Sequence, residues 1–182
     1  MAQPPGRDEQ FGRWVADHVE VLYRVAYRLL GDPHDAEDVV QEAFRSAWVS
    51  RHRFDAGRSE RAWLLAILRR RAADHWRKTD GRQQCATDRM TERVAPADPD
   101  PFGDELSAVL QRALDALPRE LRETLLLVVV GGLTHQEAAD LLGVPLGTVL
   151  SRVSRARGRL RETLLAATDG HVASARRGRS HD

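Results

Sequence analysis

The sequence predicts an all-α protein built from two small helical domains joined by a flexible linker. Three observations carry this reading. Apolar residues recur at helical spacing in successive segments, and no segment alternates convincingly at period two. Between Gly81 and Asp104 periodicity disappears while Pro96, Pro99, Pro101 and Gly103 cluster, the signature of a linker.

Residues 1–10 are expected to lack structure, and the first domain spans 11–80. Phe11, Val15, Val19, Leu22, Val25, Ala26 and Leu29 define a first helix, stopped by Gly31. Asp32 then serves as N-cap, Pro33 as the first helical residue and Asp35 as the third. Val39, Val40, Ala43, Phe44, Ala47 and Trp48 line one side of this second helix; Asp35, Asp38, Gln41, Glu42 and Arg45 lie on another. Ser50 to Ser59 is polar, contains Gly57 and reads as a loop. A third helix from about Glu60 to Lys78 carries Trp63, Leu64, Ile67, Leu68, Ala72, His75 and Trp76 as its apolar and aromatic positions.

The linker covers 81–104. Fully extended, its roughly 24 residues reach about 80 Å. The two halves can therefore act on sites well apart. The second domain spans 105–165. Leu106, Val109, Leu110, Ala113, Leu114 and Leu117 form a helix that ends near Pro118, and Leu121 to Val130 form another, closed by Gly131-Gly132. Residues 166–182 are Arg-rich, poor in apolar side chains and expected to be disordered.

Leu133 to Arg161 is the most informative stretch. Thr134 and Glu137 form a capping box that starts a helix, and Ala138, Leu141 and Leu142 give it an apolar face. Gly143 ends it where a positive φ is cheap, and Pro145 suits the first turn of the next helix. Val149, Val153, Ala156 and Leu160 give that helix one buried face, leaving Thr148, Ser151, Arg152, Arg155, Arg157, Arg159 and Arg161 on the others. Two short helices across a tight turn, the second studded with arginines, make a helix-turn-helix suited to a major groove.

Charge is segregated rather than uniform, since the net charge is only +1. Residues 32–42 hold five acids and no Lys or Arg; residues 51–82 hold Arg51, Arg53, Arg58, Arg61, Arg69, Arg70, Arg71, Arg77, Lys78 and Arg82 against Asp55, Glu60, Asp74 and Asp80. One surface therefore suits a basic partner and another a polyanion. Lys78 is the only lysine. Arginine suits bidentate recognition of phosphate and guanine, although a GC-rich genome favours arginine codons equally well. Cys85 is the only cysteine, so no intrachain disulfide forms and a reducing compartment fits. The apolar run Leu125 to Val130 is far too short to span a bilayer, and nothing at the N-terminus resembles a signal peptide. A cytoplasmic protein without direct membrane insertion is expected.

Two blocks resemble the sigma-70 family of bacterial RNA polymerase initiation factors, and specifically its small two-domain extracytoplasmic-function (ECF) group. LYRVAYRLLGDPHDAEDVVQEAFRSAW, continued by RAWLLAILRRRAADHWRK, is similar to region 2 of that family; ALDALPRELRETLLLVVVGGLTHQEAADLLGVPLGTVLSRVSRARGRL is similar to region 4. The resemblance covers roughly three-quarters of the chain, in family order. The extra N-terminal region and the middle domain of housekeeping sigma factors are not expected, which points to the ECF group.

The resemblance implies site residues. The acidic face Asp35, Asp38, Gln41 and Glu42, with Glu37 adjacent, would bind core RNA polymerase (β′ and β subunits) through a basic coiled coil of β′. The plainer reading of that face is a solvated one with favourable charge near a helix N-terminus. Arg51, Arg53, Trp63, Arg69, Arg70, Arg71, His75, Trp76, Arg77 and Lys78 would open the −10 element and hold its unpaired bases, a task that needs cations for phosphate and flat surfaces for stacking. Core packing is the alternative for both Trp63 and Trp76. Arg70 stands where many relatives have Asn.

For the −35 element the resemblance points to Thr148, Ser151, Arg152, Arg155 and Arg157. One arginine of this helix is expected to be solvated or paired with a carboxylate such as Glu162. Leu150 replaces the basic residue of the family string GTVxSR, which implies either one fewer phosphate partner or apolar packing on a thymine methyl. Asp88, Glu92, Asp98, Asp100 and Asp104 make the linker a polyanion, consistent with passage near nascent RNA, while ordinary disorder accounts for it as well. The resemblance also implies promoter DNA as ligand and an anti-sigma factor as partner, in many relatives one tethered to the membrane.

An autonomous helix-turn-helix regulator with residues 1–80 as a partner domain is the alternative. It would bind its operator tightly alone, whereas a sigma factor needs core polymerase. Catalysis is not expected: none of the seven histidines falls in an HxxxH or HExxH pattern. No GxSxG, Walker loop or paired-cysteine metal spacing occurs either. No cofactor and no metal site are expected.

Overall fold

The computed structural model describes residues 7–55, 57, 59–83 and 104–177. Among these, regular structure is entirely helical: α1 (Arg7–Leu30), α2 (Pro33–Ser50), α3 (Glu60–Gln83), α4 (Asp104–Asp115), α5 (Arg119–Val129), α6 (His135–Leu142) and α7 (Leu146–Arg177), with one 3₁₀ turn at Arg51–Arg53.

Local chemistry sets the element ends. The Asp32 side chain accepts from the Asp35 N–H at 3.0 Å, with Pro33 at the first helical position, so α2 starts where the orphan donor of a helix N-terminus meets a carboxylate. Gly31 takes φ 76° between α1 and α2, a conformation that a Cβ would oppose.

α1, α2 and α3 pack on one another around Leu22, Val25, Ala26 and Leu29, Ala36, Val39, Val40 and Ala43, and Leu64 and Leu68. The buried stripe of α1 continues toward its N-terminus through His18 and Trp14, not through Val15 and Val19; Val19 is exposed. Trp14 lies in an aromatic cluster, its ring centroid 4.7 Å from Phe54 and 5.6 Å from Trp63, while Phe11 contacts Trp48 at 5.0 Å. Edge-to-face rings of this kind tie the start of α1, the end of α2 and the base of the 51–59 loop into one unit.

In the second half, α4, α5 and α6 all pack against α7, and α5 also meets α6. The two halves are not separate bodies: α1 meets α5, α3 meets α6, and the buried apolar residues of both form one continuous core. Gly131 lies at this seam. A Cβ there would lie 2.5 Å from Leu127 O in its own turn and 2.9 Å from Leu65 Cδ1, so the absent side chain permits first the α5–α6 turn itself and then its approach to α3.

Three helices outrun their sequence-based limits. α1 begins at Arg7 rather than Phe11, and α3 continues past Lys78 to Gln83. α7 runs through Arg177, although the sequence predicts disorder from residue 166. Residues 166–177 contain four alanines and no proline, so helix propensity carries the backbone on after apolar periodicity ends. The acidic linker residues Asp88, Glu92, Asp98 and Asp100, together with Cys85, lie outside the described residues.

Candidate nucleic-acid interface

The helix-turn-helix is built from short-range chemistry. The Thr134 hydroxyl accepts from the Glu137 N–H at 3.1 Å and the Glu137 carboxylate accepts from the Thr134 N–H at 2.8 Å, a complete capping box at the start of α6. Gly143 closes α6 at φ 67°, and the Val144 N–H returns to Ala139 O at 3.1 Å. The Pro145 carbonyl receives the N–H groups of Thr148 and Val149, which opens α7.

Val149, Val153 and Ala156 bury one face of α7. At 100° per residue the remaining positions fall on two flanks. Thr148, Ser151, Arg152, Arg155 and Arg159 lie on one; Leu146, Leu150 and Arg157 lie on the other. Arg157 is therefore separated from the other −35 candidates, a division that polarity alone hides. Leu150 is 48% exposed.

Arg155 is exposed and braced, its Nε and Nη2 donating to the Ser151 carbonyl and hydroxyl at 3.3 and 3.1 Å. Arg152 is the arginine paired with a carboxylate, and that carboxylate is Glu120 of α5 at 2.9 Å rather than Glu162. Glu120 has no periodic relation to α7, so nothing local in the sequence points to it.

In the first half, α2 and α3 wall a groove of about 730 Å³. Asp38, Gln41, Glu42 and Arg45 line the α2 side, with Glu42 paired to Arg45; Arg71, Asp74, His75, Arg77 and Lys78 line the α3 side, so the α2 wall is on balance acidic and the α3 wall basic. Asp38, Gln41 and Glu42 are exposed, whereas Asp35 is partly buried and faces His75 Nε2 at 3.2 Å. Asp35 thus bridges the acidic face to α3, and the outward acidic surface is Glu37, Asp38, Gln41 and Glu42.

The −10 candidates divide by what they touch. Arg53, Arg70 and Lys78 are exposed and form no ion pair with a described residue. Arg71 and Arg77 both pair with Asp74 on their own helix. Arg51 is held in place, its guanidinium 3.7 Å over the Trp48 ring, donating to Trp48 O at 2.7 Å and facing Asp8 at 3.6 Å. Trp63 sits half-buried in the aromatic cluster at the base of the loop. Arg69 and Trp76 face the second half of the molecule: Arg69 Nε donates to Glu123 Oε1 at 2.7 Å, and the Arg119 guanidinium lies 3.9 Å from the Trp76 ring centre.

No group of three or more His, Cys, Asp or Glu side chains suited to a metal ion occurs among the described residues. No described helix is long and apolar enough to cross a membrane.

A helix-turn-helix unit joined to a second helical unit, which bears an acidic and a basic face on adjacent helices, defines a transcription protein of the helix-turn-helix class. Residues 14–82 match the model of Sigma-70 region 2 and residues 107–160 that of Sigma-70, region 4. The ECF RNA polymerase sigma factor SigE of Mycolicibacterium smegmatis is 39% identical over 154 residues, which cover 82% of this chain and 60% of that one. SigW of Bacillus subtilis is 31% identical over 171 residues, covering 87% and 91% of the two chains. The sigma factor RpoE of Bartonella quintana, solved in complex with the anti-sigma factor NepR, superposes with a TM-score of 0.76 at 31% identity, over 85% of this chain and 96% of that one. The chain belongs to the sigma-70 family of RNA polymerase sigma factors, in its extracytoplasmic-function group. Members of this family act as initiation factors rather than as catalysts.

Proposed function

We propose that this sigma factor engages core RNA polymerase through Asp38, Gln41 and Glu42 and reads a two-part promoter, with residues 11–80 at the −10 element and 105–165 at the −35 element. The observation that carries the proposal is the pairing, on neighbouring helices, of an outward acidic face on α2 with exposed Arg70 and Lys78 on α3. A protein needing only duplex DNA has no use for the first face, since exposed carboxylates repel phosphate.

At −35, Arg155 is the foremost base-reading candidate, because it is exposed and pre-oriented by Ser151. Arg157 and Leu150 lie on the other flank, away from this base-reading position. At −10, Arg53, Arg70 and Lys78 supply phosphate contacts, and Trp76 supplies a ring for stacking once uncovered. Trp63 and Arg51 act by shaping the loop. Strand opening is driven by binding and base capture, at a cost of about a few kcal/mol per disrupted step.

RpoE was solved with NepR, and CnrH with the cytosolic domain of CnrY. An anti-sigma factor is accordingly proposed as a partner here, with the protein working in the cytoplasm and a membrane-tethered anti-sigma factor as one means of holding it.

Reconstitution with core polymerase on a genomic promoter library, followed by start-site mapping, tests the reading. Discrete starts dependent on this chain are expected. Tight operator binding by the free protein, with no core-dependent transcript, would instead establish the autonomous regulator.

A further inference from the structure

We infer that Asp74 is a positioning residue of the −10 reader: its carboxylate holds Arg71 and Arg77 in set places on α3, so that the helix favours its promoter strand over phosphate in general. The inference rests on the assignment of α3 as the −10 reader and adds to it a residue of the opposite charge.

Residues 61–79 carry Arg61, Arg69, Arg70, Arg71, Arg77 and Lys78, and Asp74 is the one carboxylate among them. It stands three positions after Arg71 and three before Arg77, a spacing at which side chains of one helix meet. Both pairs form. Arg71 Nη1 donates to Asp74 Oδ2 at 3.1 Å, and Arg77 Nη2 donates to Asp74 Oδ1. Each carboxylate oxygen thus holds a different guanidinium, and one partly buried acid ties together arginines on successive turns.

The placement puts this acid within the reading face rather than beside it. At 100° per residue, Arg70, Asp74 and Arg77 fall within about 60° of one another on α3, and Arg71 lies about 60° further round toward α2. Asp74 also lines the α2–α3 groove with Arg71, His75, Arg77 and Lys78. His75 turns instead to Asp35 of α2 at 3.2 Å, so Asp74 keeps both oxygens for the two arginines.

Arginine left to itself binds any phosphate, which gives affinity without selectivity. A carboxylate shared by two arginines alters that balance twice. Its charge penalises a phosphate laid directly upon it. Its bonds also fix the planes of two guanidiniums, whose rigid forks keep further donors for a strand that fits, so less side-chain freedom is lost on binding. Arbitrary sequence meets the first effect, and a correctly placed −10 strand gains from the second. Exposed (i, i+3) pairs contribute little to folding. Removing Asp74 should therefore leave the thermal midpoint near that of the parent protein and act on selectivity.

The test uses the full chain bound to core polymerase. The probes are a forked duplex bearing the −10 strand of a promoter found by start-site mapping, and the same fork with that strand scrambled. Asp74→Asn is expected to raise affinity for the scrambled fork by about fivefold, the scale of one or two exposed ion pairs. The matched-to-scrambled ratio should fall by a similar factor. Binding to the scrambled strand alone should show a log–log salt slope steeper by about 0.7 for each arginine released. Asp74→Ala, with the higher helix propensity, should behave in the same way, so a folding defect peculiar to Asn cannot mimic the result. Asp74→Glu keeps the charge and should restore the ratio. In Asp74→Asn/Arg77→Ala the gain on the scrambled fork should shrink.

Glu20→Gln is the control for charge alone, since it frees Arg24 from its (i, i+4) partner on α1, away from α3. An equal gain in Glu20→Gln, or an unchanged ratio in both Asp74→Asn and Asp74→Ala, would overturn the role of Asp74. If Arg70→Ala still weakens binding to the matched fork in that case, the assignment of α3 survives. Matched-fork binding that neither Arg70→Ala nor Lys78→Ala alters would overturn that assignment, and the role of Asp74 with it.

Discussion

Arg152 of the recognition helix donates to Glu120 in the first turn of α5 at 2.9 Å, with the arginine side chain mostly covered and the glutamate largely exposed. Arg155, about one turn further on, donates to Ser151 of its own helix and pairs with no carboxylate among the described residues. Two arginines that look equivalent in sequence are thus set apart by a carboxylate from another helix. Arg155 is available to a guanine edge, and Arg152 is already engaged.

Arg155→Ala should therefore relax selectivity at one or two −35 positions, at about 1–3 kcal/mol for removal of a bidentate pair. Arg152→Ala should lower affinity with a smaller change in base preference. Holoenzyme binding to a panel of single-base −35 variants checks both. A larger selectivity loss in Arg152→Ala would reverse the assignment. Glu120→Gln should change stability by no more than about 1 kcal/mol, as expected of a pair with one exposed member.

Asp38 and Asp35 separate in the same way. Asp38 faces solvent, whereas Asp35 faces His75. Asp38→Arg should abolish binding to core polymerase while leaving helicity and the unfolding midpoint unchanged. Asp35→Asn should retain binding and weaken the tie between α2 and α3. Fluorescence titration against core enzyme, with circular dichroism on both variants, decides this; undiminished affinity in Asp38→Arg would remove α2 from the polymerase interface.

These contrasts mark where the sequence is legible. Asp32 with Pro33, Thr134 with Glu137, and Gly143 are all short-range devices, and each has the geometry its residue types dictate. The α1 stripe is harder to read, because Val15 and Val19 compete with Trp14 and His18 for the turns between Phe11 and Leu22. The second pair is buried, and Trp14 joins the aromatic cluster with Phe54 and Trp63. Arg69–Glu123 and Arg152–Glu120 join residues 54 and 32 positions apart, beyond any helical period, so only the packed molecule reveals them.

Caps are local, and so are their effects. Asp32→Ala and Thr134→Ala should each cost about 0.5–2 kcal/mol. Urea unfolding would register both. Thr134→Ala should additionally weaken −35 binding, because α6 holds α7 across the turn, whereas Asp32→Ala should leave −35 binding intact.

Gly131→Ala probes packing at the seam. The added methyl would lie 2.5 Å from Leu127 O as well as 2.9 Å from Leu65 Cδ1, and the backbone carbonyl cannot rotate away like a side chain. A loss of about 1–3 kcal/mol is expected, typical of overpacking. A thermal midpoint equal to that of the parent protein would mean that the α5–α6 turn takes up the methyl without cost.

Leu150 provides the sharpest test of the two-flank geometry of α7. It shares a flank with Leu146 and Arg157, away from Arg155, and is exposed. If that flank faces phosphate, Leu150→Arg adds one sequence-independent contact. Affinity for −35 duplexes in the holoenzyme should then rise evenly across base variants, and the salt dependence should steepen by about one unit of log–log slope. If Leu150 instead packs on a thymine methyl, Leu150→Arg should reduce discrimination at a single A·T position with little change in slope. Salt titrations on matched and singly substituted duplexes distinguish the two, and a reduction confined to one position would place the base-reading surface on the Leu150 flank rather than on the Arg155 flank.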